Sequence, residues 1–155
     1  MDEKILSYAK VADEVWHAGD IGSLEVTDRL QEYAKLRAVY GNIDNHTIRS
    51  AFPLHQKFEI DHIKVLMTHI GGYPNRYNPK IKKELYSYQP DLFICGHSHI
   101  LKVMRDEKLN LLHMNPGAIG IHGFHQKRTM LRFTIENAVI KGLEVIDFGK
   151  RGAKA

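Results

Sequence analysis

The 155-residue chain predicts a single α/β domain, 1–155, in which sheets pack face to face with helices outside. Three observations point there. Helix and strand patterns alternate twice before strand patterns take over, the composition is 43% hydrophobic with mixed charge, and four strand patterns end in a glycine beside Asp, Asn or His. Such a chain can bury one ordinary core.

In "DEKILSYAKVA", Ile5, Tyr8, Ala9 and Ala12 keep helical spacing behind Asp2 as N-cap. "EVWHA" (14–18) reads as a short strand. Residues 25–37 read as a second amphipathic helix, with Val26, Leu30, Tyr33 and Ala34 on one face, and "LRAVY" (36–40) as the next strand. "FEI" (58–60) and "IKVLM" (63–67) flank Asp61 and His62 as a hairpin whose turn lacks glycine. "NPKIKKELYSY" (78–88) is a helix capped by Asn78, with Pro79 at its first position and Ile81, Leu85 and Tyr88 on one face. Strands over 91–95, 100–105, 109–114, 129–135 and 138–147 complete the expected order.

Composition narrows the function. No apolar run reaches the roughly 20 residues that span a bilayer, and "MDEKILSYAK" lacks a secretory core, so a soluble cytoplasmic protein with no membrane partner is expected. Cys95 is the only cysteine and reads as a small buried hydrophobe. The charge of +4 comes from scattered basic residues and the tail "GKRGAKA", a weak basis for nucleic-acid binding. Ten histidines direct attention to metal.

The strand ends carry the chemistry: "GDIGS" follows 14–18, "GNIDNH" follows 36–40, "THIGG" follows 63–67 and "CGHSH" follows 91–94. Open α/β sheets place ligands just past the carboxyl ends of their strands. Carboxylate, amide oxygen and imidazole without thiolate suit Mn²⁺, Fe²⁺ or Zn²⁺ in a catalytic centre. Two adjacent ions there would activate a water and offset the charge of a phosphoryl group attacked in line.

In their order, "GD" (19–20), "GNID" (41–44), "TH" (68–69), "GHSH" (96–99) and "NPG" (115–117) resemble the motifs of calcineurin-like metallophosphoesterases. More narrowly, they resemble the small single-domain bacterial phosphodiesterases and the retromer subunit of the same fold. The resemblance runs from Val15 to about Gly120. It implies a four-layer αββα sandwich of two mixed sheets flanked by helices. It also implies a second-metal site of Asp20, Asn42, His69 and His97, with Asp20 bridging to a first ion held by His99, and catalytic roles for Asp20, Asn42 and Asp44. The implied activity is hydrolysis of small phosphate esters by metal-activated water, with Mn²⁺ the leading ion and Fe²⁺, Zn²⁺ or Ni²⁺ the alternatives. A non-catalytic scaffold is the second function such a chain can serve.

The departures from that pattern carry expectations too. The family's first strand ends in Asp-x-His, which ligates the first metal, and no such segment precedes the first helix. The chain is therefore expected to lack its first strand and to bind one ion well and the other weakly or not at all. The slot of that strand is expected to be filled first of all by a segment upstream of Met1, and otherwise by a strand-filling partner, a second copy or a rearrangement. Ile43 stands where larger relatives have an acid histidine; Asp44 is then expected to orient ligand or water, and His46 is either a stand-in acid or a solvated loop residue. Ile70 replaces the usual glycine after His69. His17 reads as structural or at the rim, and His55, His62 and His113 as surface or core. His122 and His125 are placed within reach of substrate phosphate, and Tyr73 and Arg76 either contact substrate or belong to an ordinary loop.

Overall fold

The computed structural model describes residues 2–152; Met1 and the end of the basic tail, 153–155, lie outside the described residues. The elements are α1 (Glu3–Ala9), β1 (Glu14–His17), α2 (Leu24–Gln31), β2 (Lys35–Ala38), α3 (His46–Ala51), β3 (His55–Ile60), β4 (Ile63–Thr68) and the short β5 (Gly72–Tyr73) and β6 (Arg76–Tyr77). They continue with α4 (Pro79–Tyr88), β7 (Leu92–Ile94), β8 (Leu101–Asp106), β9 (Leu111–Pro116), β10 (Lys127–Glu136) and β11 (Val139–Lys150).

A five-stranded mixed sheet, ordered β3-β4-β7-β9-β8, forms the centre. Strands β4, β7 and β9 run parallel, which places their carboxyl ends together. Strands β4 and β7 are almost wholly buried, the signature of parallel strands covered on both faces. Because successive side chains alternate, Leu66 and Phe93 face α4, where they meet Ile81 and Leu85. Val65, Met67, Leu92 and Ile94 face the other way, toward Trp16, Leu131 and Phe133.

That second β layer consists of two separate pairs: β1 beside β2 in parallel, and β10 with β11 as a long antiparallel hairpin. Helices α1 and α2 cover the first pair through Leu6, Ala9 and Leu30. The four expected layers are therefore present, but the second is split. Among the described residues β1 and β10 each pair on one side only, and a groove of about 1460 Å³ runs between them, lined by Val15, Trp16, Leu131 and Phe133. Trp16 holds the layers together edge-on, 5.0 Å from the Phe58 ring and 5.5 Å from that of Phe133.

Several boundaries differ from expectation. Helix α1 stops at Ala9 rather than Ala12. Helix α2 ends at Gln31, because the parallel register of Glu14–His17 with Lys35–Ala38 takes the following residues into β2. Asn45 caps the unexpected α3, accepting from the Ile48 N–H at 3.1 Å. Asp61 and His62 both adopt positive φ, 44° and 62°, giving the tight hairpin turn without glycine. Asp2 and Asn78 cap α1 and α4 as read from the sequence.

The parallel pair is pinned by Glu14. Its carboxylate accepts from Arg37 Nε at 2.7 Å and from the Trp16 indole at 2.8 Å, and lies 2.8 Å from Lys35 Nζ. Burial opposes the charge, but the Arg37, Lys35 and Trp16 hydrogen bonds outweigh it and lower the pKa to about 2. A carboxyl with a depressed folded-state pKa stabilises the fold above its ordinary value, and that stabilisation is lost as pH falls from about 4.5 toward 2. Glu14→Gln should cost about 1 kcal/mol at neutral pH and flatten the acid limb of a stability-against-pH curve over that window; an unaltered limb would exclude this role.

Among the described residues no helix is long and apolar enough to cross a membrane.

Candidate metal centre

The carboxyl ends of β1, β2, β4 and β7 meet at one rim, and each delivers one side chain. Asp20 follows β1, Asn42 follows β2, His69 follows β4 and His97 follows β7. Three of these converge on a single nitrogen: His69 Nε2 lies 3.2 Å from Asp20 Oδ1 and 3.1 Å from Asn42 Oδ1. The His97 ring stands edge-on to His69, with centroids 5.2 Å apart.

The tautomer of His69 follows from its other side. Nδ1 lies 2.7 Å from the Ala18 carbonyl oxygen, which can only accept, so Nδ1 carries the proton. In the neutral ring Nε2 is then a bare lone pair facing two oxygens. Lone pairs gathered in this way repel unless a cation stands among them. Carboxylate, amide oxygen and imidazole thus fit a divalent ion of the Mn²⁺, Fe²⁺ or Zn²⁺ type. Of the four residues expected at the second metal, Asp20, Asn42 and His69 are brought together directly, and His97 borders them.

Burial works against the Asp20 charge, yet with the His69 ring protonated on both nitrogens its hydrogen bond and charge hold the carboxyl below the usual range. The Ile43 N–H also donates to Oδ1 at 3.3 Å. Gly41 is required beside it, because a β-carbon there would sit 2.0 Å from Asp20 Oδ1.

Asp44 has a different place from the catalytic one expected. It is buried, and its two oxygens accept the N–H groups of Gly41 at 2.7 Å, Gly22 at 2.9 Å and Ile21 at 3.1 Å. With its lone pairs committed to the backbone, it locks the Asp20 loop to the Asn42 loop. Arg49 Nε and NH2 add to this by donating to the carbonyls of Asp44 and Asn42, at 2.7 and 2.9 Å.

Asn115, at the end of β9, secures the histidine turn in the same manner. Its Nδ2 donates to the Gly96 carbonyl at 2.8 Å and to Ser98 Oγ at 3.1 Å, while its Oδ1 accepts from Gly117 N–H. The Asn-Pro-Gly signal marked this turn, but not its structural task.

His99 stacks against His125, with ring centroids 5.2 Å apart and nearly perpendicular. Burial first, and then the charge of His125, lowers its pKa. Among the described residues no three carboxylate, imidazole or thiol groups converge, so the convergent set depends on the Asn42 amide.

The remaining expectations resolve individually. His46 is exposed at the first turn of α3 and His62 in the β3–β4 turn. His55 Nδ1 pairs with Thr68 Oγ1 at 2.8 Å. His113 is a core residue, with Nε2 3.0 Å from the Gly72 carbonyl oxygen. Burial pushes the His17 pKa down and leaves its Nδ1 unpaired beneath the site. His122 is exposed, whereas His125 is buried. Cys95 is buried, and desolvation raises its thiol to about 12. A cavity of about 370 Å³ opens beside His97, lined by Ile70, Tyr73, Arg76, Ile100 and Lys102. Lys102 was not marked in the sequence; its Nζ sits 3.9 Å over the Tyr73 ring.

Comparison with known proteins agrees with this geometry. Residues 1–138 match the model of the calcineurin-like phosphoesterase superfamily domain. A probable metallophosphoesterase of Methanothermobacter thermautotrophicus is 28% identical over 116 residues, 75% of this chain and 66% of the relative. Another, from Methanocaldococcus jannaschii, is 31% identical over 107 residues, 68% of this chain and 53% of the relative. The match thus spans between half and two thirds of the length of these curated relatives. In fold, the chain is similar to an archaeal phosphodiesterase, with a TM-score of 0.72 at 22% identity over 94% of this chain and 88% of that one. It is similar also to Vps29 of Chaetomium thermophilum, with a TM-score of 0.70 at 14% identity over 96% and 88% of the two chains.

Proposed function

Because the chain belongs to the calcineurin-like phosphoesterase superfamily, we propose that it is a metal-dependent phosphodiesterase acting on small phosphate esters, with Mn²⁺ as the leading ion. The observation that carries this reading is the meeting of Asp20 and Asn42 oxygens at the Nε2 of His69. A divalent ion bound there supplies Lewis acidity, which activates water and offsets charge on the phosphoryl group. Asp20, Asn42, His69 and His97 hold the ion. His69 is kept in its ligating tautomer by Ala18, and Asp44 positions the two loops. Arg76 and Lys102, in the cavity beside His97, supply positive charge for the ester's phosphate. The cavity walls of Ile70, Tyr73 and Ile100 suit an apolar or aromatic leaving group.

A scaffold role is the second reading, favoured by the fold shared with Vps29. One assay separates the two. Purified chain is incubated with an aryl phosphodiester, with and without Mn²⁺. The enzyme reading expects Mn²⁺-stimulated release of the phenol; its absence, in a chain that calorimetry shows to bind Mn²⁺, favours the scaffold.

A further inference from the structure

His125 lies outside the five motifs, yet it is only 7% exposed and one of its nitrogens has no partner. Nε2 stands 2.9 Å from the Gly120 carbonyl oxygen, so Nε2 carries the proton and Nδ1 is a bare lone pair. Leaving such an acceptor enclosed and unpaired is unfavourable, because its lost hydration goes unreplaced. The Nδ1 atoms of His17 and His113 are also enclosed and unpaired, but only His125 has a second imidazole against it, that of His99. The perpendicular stacking of the two rings makes no hydrogen bond between them. Gly123 keeps a space open at their edge: a β-carbon there would lie 2.9 Å from His99 Nδ1 and 3.1 Å from His125 Nδ1. The two nitrogens therefore border the same small space, which any side chain at position 123 would fill.

We propose that His99 and His125 form a two-imidazole site for a divalent transition-metal ion, with the Nδ1 of His125 as a ligand. It rests on the metal-dependent reading above only in placing His99 at a metal. Imidazole suits Zn²⁺, Ni²⁺ and Fe²⁺. With no third carboxylate, imidazole or thiol close enough among the described residues, the ion keeps positions open for water or phosphate oxygen. Affinity at this pair is accordingly lower than at the Asp20–Asn42–His69 set.

The test follows the nitrogens themselves. The full chain, labelled with ¹⁵N-histidine, is titrated with Zn²⁺ and the ring nitrogens are followed by long-range ¹H–¹⁵N correlation, with calorimetry in parallel. His69 Nε2 should shift in a first, tighter step, and His125 Nδ1 together with His99 in a second. His125→Ala should weaken the second step at least about tenfold and leave the first; His69→Ala should do the reverse. If His125 Nδ1 stays unmoved at saturating Zn²⁺ while His69 responds, the pair is not a site and the reading of the Asp20 centre survives. If neither responds, both fall. The unsubstituted chain carries the decision, so a variant that fails to fold does not obscure it.

Discussion

Asp20→Asn should lower Mn²⁺-stimulated kcat/KM for an aryl phosphodiester at least about 100-fold, while the circular dichroism spectrum stays unchanged. The substitution is nearly isosteric. Asn tolerates the positive φ of 56° that Asp20 adopts, and its amide can still face His69. What it removes is the one negative charge in the converging donor set, and with it much of the attraction for a divalent ion. Calorimetry with Mn²⁺ should show the parallel loss of affinity. A variant as active as the parent would mean that Asp20 neither holds the ion nor contributes to turnover.

Asp44→Ala should cost about 3 kcal/mol of stability and abolish metal binding by an indirect route. Three backbone N–H groups lose their acceptor, two of them in buried hydrogen bonds, and each buried donor left stranded carries a desolvation penalty of about 1–3 kcal/mol, partly relieved by relaxation. The loops bearing Asp20 and Asn42 lose their common anchor at the same time. Asp44→Asn, which retains one oxygen, should recover part of both effects. Chemical denaturation measures the first and calorimetry the second. Loss of activity with unchanged stability and metal affinity would return Asp44 to the reacting atoms, where the motif alone had put it.

The comparison of these two aspartates shows what the sequence could convey. Asp20 and Asp44 both lie in turns opened by a glycine, Gly19 and Gly41, and both were expected to serve the chemistry, one as a ligand and the other by orienting ligand or water. What separates them is which backbone N–H groups lie across the fold, a long-range fact with no local signature. Elements defined by local chemistry were legible: Asn78 and Pro79 marked the start of α4, and the apolar runs of β4 and β7 marked the buried sheet. Helix α2 was overextended because Tyr33 and Ala34 keep its apolar period, and only the pairing of β2 with β1 ends it. Helix α3 buries only Ile48 and gave too little periodicity to register. The convergence of Asp20, Asn42 and His69 was readable because their three strand ends carry family motifs and need only share one rim. The pairing of His99 with His125 was not, since it depends on how a glycine-rich loop folds back after β9.

Asp20, His97 and His99 all adopt left-handed backbone, with φ of 56°, 66° and 57°. None is glycine, so each holds a conformation that costs about 1 kcal/mol or more. The rim is therefore selected for aim at the expense of stability. His97→Gly should melt at a higher temperature than His97→Ala, by an amount corresponding to about 1 kcal/mol, although both lack the imidazole. Sequence changes chosen only to raise thermal stability would accordingly tend to enter at these positions and erase the centre, leaving a sturdier molecule without its metal.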